Sequence, residues 1–250
     1  MINSRITEVE KLSQNTSTIR FKWDQHAEAG QFIMVWVPGA GEIPISLSHL
    51  GNEKGITVRS YGVASEALIK KREGERLFFR GPYGRPFTKV EGRKLIIGGG
   101  SGMAGLLPLI DEKSHGIVAA RTKSDLLFHD RFPRGHVTVV TDDGSAGIKG
   151  LAVDGLKGLR LEDFDVIYAC GPEMMLKSIL DRIRDSGVRA EFSLERIMKC
   201  GIGICDSCSI DGHQLCTEGP TFSLEEIASM REFGVTRLTE SGRRIWLGKH

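Results

Sequence analysis

Short segments with a β-strand pattern fill the first third of the chain. Five of them lie between residues 5 and 80, separated by Gly, Asn and Ser: RITEVEKL, TSTIRFKW, QFIMVWV, GITVRSY and ERLFFR. In QFIMVWV both alternating sets of positions are apolar, which predicts a strand that is buried on both faces. A row of such strands predicts a small antiparallel β-barrel over residues 1–91.

The pattern changes near residue 92 to strands that alternate with helices. Helix candidates at 103–113, 124–128 and 172–184 separate the apolar strands KLIIGGG, GIVAA, HVTVVTD, DVIYAC and RAEFSL. This alternation predicts βαβ units, and hence an α/β domain with a parallel sheet over residues 92–195. The remaining residues, 196–250, are rich in Cys and Gly with one helix candidate at 223–233, and form a small third domain in this interpretation.

Composition places the chain among ordinary globular proteins. It has 250 residues, 40% of them hydrophobic and 26% charged, and a net charge of +2, which gives no electrostatic reason to expect nucleic acid. The first twelve residues lack the apolar core of a secretory signal. The longest uncharged run, 95–110, is shorter than the ~20 residues of a membrane span and contains glycines and a proline. We therefore expect a cytoplasmic protein without a membrane partner.

Four of the five cysteines lie between residues 200 and 216. In a reducing compartment, clustered thiols indicate metal binding rather than disulfides. Cys200, Cys205 and Cys208 have the C-x4-C-x2-C spacing of plant-type [2Fe-2S] proteins, and Cys216 supplies the fourth thiolate. Glycines between the first two cysteines suit a loop that turns sharply and directs backbone N–H groups at sulfur.

Two points about this segment stay open at the sequence level. Cys205 and Cys208 form one C-x2-C pair, so a structural zinc site is the alternative to an iron–sulfur cluster. A Rieske-type centre needs two histidines, so His213 is interpreted as an exposed loop residue. The short interval before Cys216 predicts a tight hairpin through Asp211 and Gly212.

A glycine-rich turn follows the first strand of the α/β region. Gly100, Gly102 and Gly105 formally match G-x-G-x-x-G between a strand and a helix, which favours phosphate binding. The next strand ends in Arg121 and Lys123 rather than in the acidic residue of a standard Rossmann site. A tight strand-to-helix turn without a ligand is the alternative.

Cys170 ends the strand DVIYA and opens the segment CGPEMML. Alone, it is interpreted as a small buried hydrophobe. At the carboxyl end of a parallel strand, however, it lies where open α/β sheets bind ligands, so a place beside a nicotinamide is the functional hypothesis.

These motifs resemble, in order and over nearly the whole chain, the electron-transfer subunits of the two-subunit, NAD-linked dihydroorotate dehydrogenases, within the ferredoxin-reductase superfamily. The last motif is the most specific. The segments that carry the resemblance are PISLS (44–48), RSYGVASEAL (59–68), RGPYGRPF (80–87), GGGSGM (98–103), ARTKSDLLF (120–128), TDDGS (141–145), YACGPEMM (168–175) and SLERIMKCGIGICDSCSIDG (193–212).

The resemblance implies a barrel that binds FAD, an α/β domain that binds NAD and a [2Fe-2S] domain. In the family an R-P-x-S motif holds FAD; here its serine is Ser46 and its arginine position is Ile43, so Arg59 is expected to neutralise the flavin phosphate. Without the resemblance, Ser46 and Ser65 are ordinary serines and Arg59 is a solvated charge. The implied cofactor-binding residues are Ile43, Pro44, Ile45, Ser46, Val58, Arg59, Ser60, Ala64, Ser65 and Gly81 for FAD, and Gly98, Gly99, Gly100, Gly102, Cys170, Gly171 and Pro172 for NAD.

The resemblance further implies an oxidoreductase subunit of pyrimidine biosynthesis. Electrons would pass from the FMN of a catalytic partner subunit, two copies of each chain, through the cluster and FAD to NAD+, which we rank before NADP. Alternatives are the flavin and iron–sulfur subunit of a cytosolic hydrogenase, a sulfide dehydrogenase or a ferredoxin-NADP reductase. From a different class, a zinc-stabilised regulatory module without redox activity is also considered.

Overall fold

Six antiparallel strands close into a barrel at the N-terminal end of the computed structural model, which describes residues 1–247. Neighbouring strands follow the order β1-β2-β5-β4-β3-β6, and β6 pairs back with β1. The predicted antiparallel barrel is therefore confirmed. Its strands are β1 (Ile2–Ser13), β2 (Thr16–Lys22), β3 (Phe32–Val37), β4 (Gly41–His49), β5 (Glu53–Arg59) and β6 (Arg76–Tyr83).

The sequence pattern missed two elements of the barrel region. Strand β4 contains Pro44, which has no N–H to donate to a ladder and usually signals a strand edge. Helix α1 (Val63–Ile69) follows β5 and is too short to show helical periodicity. The Ser65 hydroxyl accepts the N–H groups of Tyr61 and Gly62 at 2.9 and 3.0 Å, and this fixes the start of α1.

Strands and short helices alternate through the middle of the chain. The strands are β7 (Lys94–Gly99), β8 (Ser114–Ala120), β9 (Val137–Thr141), β10 (Ile148–Lys149), β11 (Val166–Cys170) and β12 (Ala190–Ser193). The α-helices are α2 (Gly102–Leu106) and α3 (Glu173–Ile183). Five 3-10 turns connect these elements: Leu107–Leu109, Lys123–Asp125, His129–Arg131, Ala152–Leu156 and Leu161–Asp163.

One of the three helices predicted here is confirmed and two are wrong in extent. The helix predicted at 172–184 is α3. The one predicted at 103–113 ends at Leu106 and continues as a single 3-10 turn, because Pro108 has no N–H for a further helical bond. The one predicted at 124–128 is a 3-10 turn, and Phe128 after it has a left-handed φ of 61°.

The C-terminal segment is built from short elements. They are β13 (Ser209–Ile210), β14 (His213–Gln214), β15 (Thr221–Ser223), α4 (Leu224–Ser229), β16 (Thr236–Leu238) and β17 (Arg244–Trp246). The helix predicted at 223–233 begins as expected, with the Ser223 hydroxyl accepting the N–H of Glu226 at 3.2 Å, but it ends four residues early, at Ser229. Residues 248–250 of the predicted third domain lie outside the described residues.

The α/β region and the C-terminal segment share one seven-stranded sheet. Its order is β10-β9-β8-β7-β11-β12-β15, with every neighbouring pair parallel except β12 and β15. The predicted parallel sheet is confirmed, and the antiparallel edge strand comes from beyond residue 195. The cysteine segment lies between β12 and β15 and is therefore anchored at both ends in the sheet.

Three apolar cores hold these layers together. One fills the barrel, where the Phe21 and Phe79 rings lie 5.0 Å apart. The other two cover the two faces of the sheet, and Cys208 and Cys216 belong to the one that also contains Phe192. No helix within residues 1–247 is long and apolar enough to cross a membrane.

Candidate cofactor sites

The loop that begins at Cys200 adopts a conformation that glycine permits. Gly201 and Gly203 have φ values of 70° and 75°, as the sequence predicts, and Asp206 has a φ of 58°. L-residues with a Cβ rarely enter this left-handed region. The loop therefore turns back on itself within six residues and brings its backbone close to its own thiols.

Three backbone N–H groups point at one thiol. Sγ of Cys200 accepts from Ile202 at 3.5 Å, from Ile204 at 3.3 Å and from Cys205 at 3.4 Å. Partial burial raises the pKa of the Cys200 thiol, but these donors outweigh it and lower the pKa to about 6. The loop is thus shaped to stabilise a thiolate.

The predicted hairpin that returns the chain to Cys216 is confirmed. Strands β13 and β14 pair, and Asp211 and Gly212 between them have φ values of 47° and 85°, as a two-residue turn of this type requires. Sγ of Cys216 then accepts the N–H of Gly203 at 3.2 Å. His213, predicted as a loop residue, lies on β14 with about half of its side chain exposed, and its Nδ1 is 2.9 Å from Oε2 of Glu218.

The four thiols form two pairs. Cys200 and Cys205 are hydrogen-bonding neighbours, and so are Cys208 and Cys216. Cys208 and Cys216 are buried, whereas Cys205 is exposed. Burial raises the pKa of the Cys208 thiol to about 12. Among residues 1–247, no three His, Cys, Asp or Glu side chains are grouped around a single ion position. Four thiols in two pairs, with N–H groups directed at sulfur, suit two linked irons better than one zinc ion.

The cysteine loop packs against the barrel. A Cβ on Gly201 would lie 2.9 Å from Cγ of Met34 on β3 and 3.7 Å from Nη1 of Arg80 on β6. Arg80 is itself held by Glu42, whose carboxylate accepts from Nε at 2.8 Å and from Nη2 at 2.7 Å. The barrel wall therefore lies directly against the loop that carries Cys200.

A cavity of about 650 Å³ opens between the barrel, the sheet and the C-terminal segment. Ten of the predicted cofactor-binding residues line it: Ile43, Pro44, Ile45, Ser46, Val58, Arg59, Ala64, Ser65, Gly102 and Cys170. Seven predicted residues do not: Ser60, Gly81, Gly98, Gly99, Gly100, Gly171 and Pro172. The predicted flavin motifs and Gly102 of the glycine turn therefore line the same cavity.

At most glycines of the predicted nucleotide motif, other parts of the protein pack so closely that a side chain would not fit. A Cβ on Gly102 would lie 2.6 Å from the carbonyl oxygen of Cys170, and one on Gly99 would lie 3.1 Å from Cδ of Pro172. Gly100 differs, because its φ is 53° and the one described atom within 4 Å of a Cβ there is Nη1 of Arg59. Gly100 therefore faces open space, whereas its neighbours face protein.

Glu195, a polar residue near the carboxyl ends of β11 and β12, was not predicted as a site residue. Cys170 and Ser193 lie opposite each other in the sheet, and Glu195 lines the cavity two residues further on. Burial raises the pKa of the Cys170 thiol, and the charge of Glu195 raises it further. Glu195 comes just after a parallel strand, at the same edge of the sheet as Cys170, and this position could have identified it as a candidate site residue.

The fold is that of the ferredoxin-reductase-like flavoproteins, in which a barrel precedes a nucleotide-binding sheet. The NADH-dependent reduced ferredoxin-NADP oxidoreductase, studied for flavin-based electron bifurcation, superimposes with a TM-score of 0.77 and 28% identity, covering 90% of each chain. Phthalate dioxygenase reductase superimposes with a TM-score of 0.59 and 17% identity, covering 93% of this chain and 83% of that one, and shows the fold alone.

Closer relatives define the family. The model of the iron–sulfur cluster binding domain of dihydroorotate dehydrogenase B matches residues 195–228. A probable dihydroorotate dehydrogenase B (NAD(+)) electron transfer subunit of Thermoplasma volcanium is 50% identical over 247 residues, 99% of both chains. Its counterpart from Thermoplasma acidophilum is 49% identical over 246 residues, 98% of both chains. The chain belongs to the family of dihydroorotate dehydrogenase B electron transfer subunits, and the resemblance predicted from its motifs is confirmed.

Proposed function

We propose that this chain is the electron-transfer subunit of an NAD-linked dihydroorotate dehydrogenase. Cys200, Cys205, Cys208 and Cys216 would hold a [2Fe-2S] cluster. FAD would occupy the cavity beside β4 and β5, against Ser46 and Ala64, and NAD would approach from the glycine turn and Cys170. When bound, the three groups supply one-electron transfer at the cluster, two-electron chemistry at the nicotinamide and a flavin able to exchange with both.

The observation that carries the proposal is the position of β3 between the two sites. Phe32 lines the cavity, and Met34, two residues along the same strand, contacts the cysteine loop at Gly201. Two residues of strand span about 7 Å. A flavin in the cavity and a cluster on the loop would thus be separated by one layer of side chains, a short path for an electron.

Several residues of this chain already shape the proposed sites. The loop N–H groups stabilise thiolate at Cys200, and the buried inner thiols keep water away from that side. The Ser65 hydroxyl is already engaged at the start of α1, so it would position the backbone at the flavin rather than contact the flavin through its own proton. Cys170 would stay a neutral thiol beside the nicotinamide.

The proposed partner is a catalytic subunit that carries FMN and oxidises dihydroorotate, in a cytoplasmic complex with two copies of each chain. Exposed apolar side chains of the cysteine loop, Ile202 and Ile204, lie next to the outer thiol pair and would meet that subunit. A ferredoxin-NADP oxidoreductase subunit is the second candidate, favoured by the 28% identity over 90% of the chain to the structure of that class. Exposed Arg121 and Lys123 after β8 suit NADP as well as NAD.

Anaerobic purification of the chain together with the subunits that bind it tests the proposed function. We expect flavin absorption with a cluster shoulder that bleaches when NADH is added, and a co-purifying FMN-containing subunit that makes NADH formation depend on dihydroorotate. A multi-cluster partner would support the ferredoxin-NADP class instead. A colourless protein with stoichiometric zinc would show that neither redox function is correct.

A further inference from the structure

Arg80, on β6 of the barrel, places a positive charge against the cysteine loop. A Cβ on Gly201 would lie 3.7 Å from Nη1 of Arg80 and 2.9 Å from Cγ of Met34. Met34 and Arg80 are partners on the neighbouring strands β3 and β6, and Gly201 directly follows Cys200 in the chain. The guanidinium therefore lies beside the backbone next to one of the four thiols.

The ion pair with Glu42 orients this guanidinium. The Glu42 carboxylate accepts from Nε at 2.8 Å and from Nη2 at 2.7 Å, so it occupies one edge of the planar group. Nη1 points away from that edge, because the three nitrogens of a guanidinium are arranged symmetrically in one plane. The pair is thus an oriented dipole, with its positive end toward the cysteine loop and its negative end turned away.

Partial burial limits the screening of this dipole by solvent. The side chains of Arg80 and Glu42 are 23% and 22% exposed, and the Arg80 guanidinium lies 5.6 Å from the centre of the Tyr83 ring. Hydrogen bonding to Glu42 raises the pKa of Arg80 above its already high ordinary value, so the charge is permanent. Charges at partly buried positions interact more strongly than charges that are fully surrounded by water.

A fixed charge at this place affects the electron affinity of a cluster on the loop. The reduced form of a [2Fe-2S] cluster carries one negative charge more than the oxidised form, so a nearby positive charge favours reduction. Cluster potentials depend on net charge, on hydrogen bonds to sulfur and on solvent exposure. The backbone of the loop supplies hydrogen bonds to Cys200, and the barrel supplies the charge of Arg80.

We propose that the Arg80–Glu42 ion pair sets the reduction potential of the cluster. Arg80 raises the potential, and Glu42 is a positioning residue that holds the positive end of the guanidinium toward the loop. The barrel that holds the flavin thereby also adjusts the driving force for electron transfer between cluster and flavin. The proposal rests on the proposed function, which places a [2Fe-2S] cluster on the four thiols.

Anaerobic redox titration of the purified FAD-loaded protein, followed by the EPR signal of the reduced cluster, tests this proposal. Arg80→Gln removes the positive end of the dipole and leaves the carboxylate, so the midpoint potential should fall. At a fixed applied potential we expect the ratio of reduced to oxidised cluster to decrease roughly threefold to tenfold. A tenfold change corresponds to about 59 mV for a one-electron couple.

Glu42→Gln should have the opposite effect. It removes the negative end of the dipole and leaves Arg80 charged, so the midpoint potential should rise, by less than it falls in Arg80→Gln because the carboxylate lies farther from the loop. Arg80→Lys keeps the charge without the two-bond contact, and its potential should lie closer to wild type than that of Arg80→Gln.

Arg20→Gln is the matched control for the loss of charge. Arg20 is also a barrel arginine in an ion pair, 3.2 Å from Glu8, and its side chain is 25% exposed. It lies on β2, which pairs with β1 and β5 and adjoins neither β3 nor β6. Arg20→Gln changes the net charge by the same amount on another side of the barrel and should leave the midpoint potential unchanged.

The sign of the shifts distinguishes an electrostatic effect from a structural one. Loosened packing of the loop should move the potential in the same direction in Arg80→Gln and Glu42→Gln. Shifts of equal sign, or an unchanged potential in Arg80→Gln, would overturn the proposal if iron and sulfide contents stay at the wild-type level. A wild-type protein without iron and sulfide would instead show that the proposed function lacks its cluster.

Discussion

The backbone N–H of Gly203 donates to Sγ of Cys216 at 3.2 Å, across 13 positions of the sequence. This bond ties the start of the cysteine loop to the last thiol, which the β13–β14 hairpin delivers. Cys216 is separated from Cys208 by only seven residues, so its position depends on this tight return. The contact makes Gly203 a structural requirement of the thiol cluster.

Gly203→Ala should therefore reduce both stability and cluster content. Its φ is 75°, and a Cβ there would lie 2.9 Å from Oε1 of Gln214 and 3.0 Å from Cγ2 of Thr217. We expect a loss of about 1 to 2 kcal/mol in the free energy of unfolding and a lower iron content per chain. Gly158→Ala is the control, because Gly158 has a φ of 83° with nothing described within 4 Å. Equal iron contents in the two variants would contradict this role.

Cys205→Ser should separate the cluster from the flavin. Cys205 is the exposed member of the outer thiol pair, and serine cannot replace its thiolate. We expect iron and sulfide to be lost while flavin absorption and NADH oxidation with an artificial acceptor remain. Cys170→Ser, which changes a buried thiol at the cavity, should keep its iron. Normal electron transfer from dihydroorotate to NAD in Cys205→Ser would show that the proposed order of electron transfer is wrong.

Local patterns predicted much of this molecule. Alternation of apolar residues is a property of neighbouring positions, so it identified the barrel and the parallel sheet before any contact was known. The cysteine motif is equally local. Gly201 and Gly203 have the left-handed conformation that was expected of them, and the predicted hairpin turn forms at Asp211 and Gly212. Helix ends were predicted less well, because 3-10 turns continue several apolar patterns without completing a helix.

Contacts between distant segments could not be predicted in this way. Arg59 and Asp125 are 66 positions apart, and the sequence around either residue does not indicate that the two form an ion pair. The same holds for Glu240, which comes from the β16–β17 turn yet lines the cavity. Conversely, the resemblance implied a ligand role for both Gly99 and Gly102, whereas protein backbone or side chains fill the space that a Cβ on either residue would need.

Breaking the buried ion pair between Glu173 and Arg196 should destabilise the folded protein strongly. Arg196 donates to both carboxylate oxygens of Glu173, which also accepts the N–H of Gly234 at 2.7 Å. The two side chains are 13% and 4% exposed, so solvent cannot replace a lost partner. Glu173→Gln should reduce the free energy of unfolding by about 3 kcal/mol, as expected for an uncompensated buried charge, measured by chemical denaturation.

Glu66→Gln provides the matched control for that experiment. Glu66 pairs with Lys70 on the surface of α1, with both side chains more than half exposed, so solvent screens the pair and its loss should change the free energy of unfolding far less than Glu173→Gln does. Similar losses in the two variants would mean that the Glu173 pair does not stabilise the contact between α3 and the C-terminal segment.

His49 should make stability depend on pH in the mildly acidic range. Burial, followed by the charges of Arg20 and Arg131, lowers the pKa of the His49 imidazole from 6.5 to about 4. Between these values the unfolded chain binds a proton that the folded protein does not, so stability falls as the pH drops from about 6.5 to about 4. Solvent screens a half-buried ring, so we expect a loss of about 1 to 2 kcal/mol.

The difference between wild type and His49→Gln isolates this contribution. Carboxylates also titrate in this range, but they titrate alike in both proteins and cancel when the two unfolding curves are subtracted. Since Gln carries no titratable group, the variant should lose less stability on acidification, and the two curves should run parallel above about pH 7. Parallel curves down to pH 4 would show that His49 titrates normally, which would require water or a counter-charge to reach the ring next to Arg20 and Arg131.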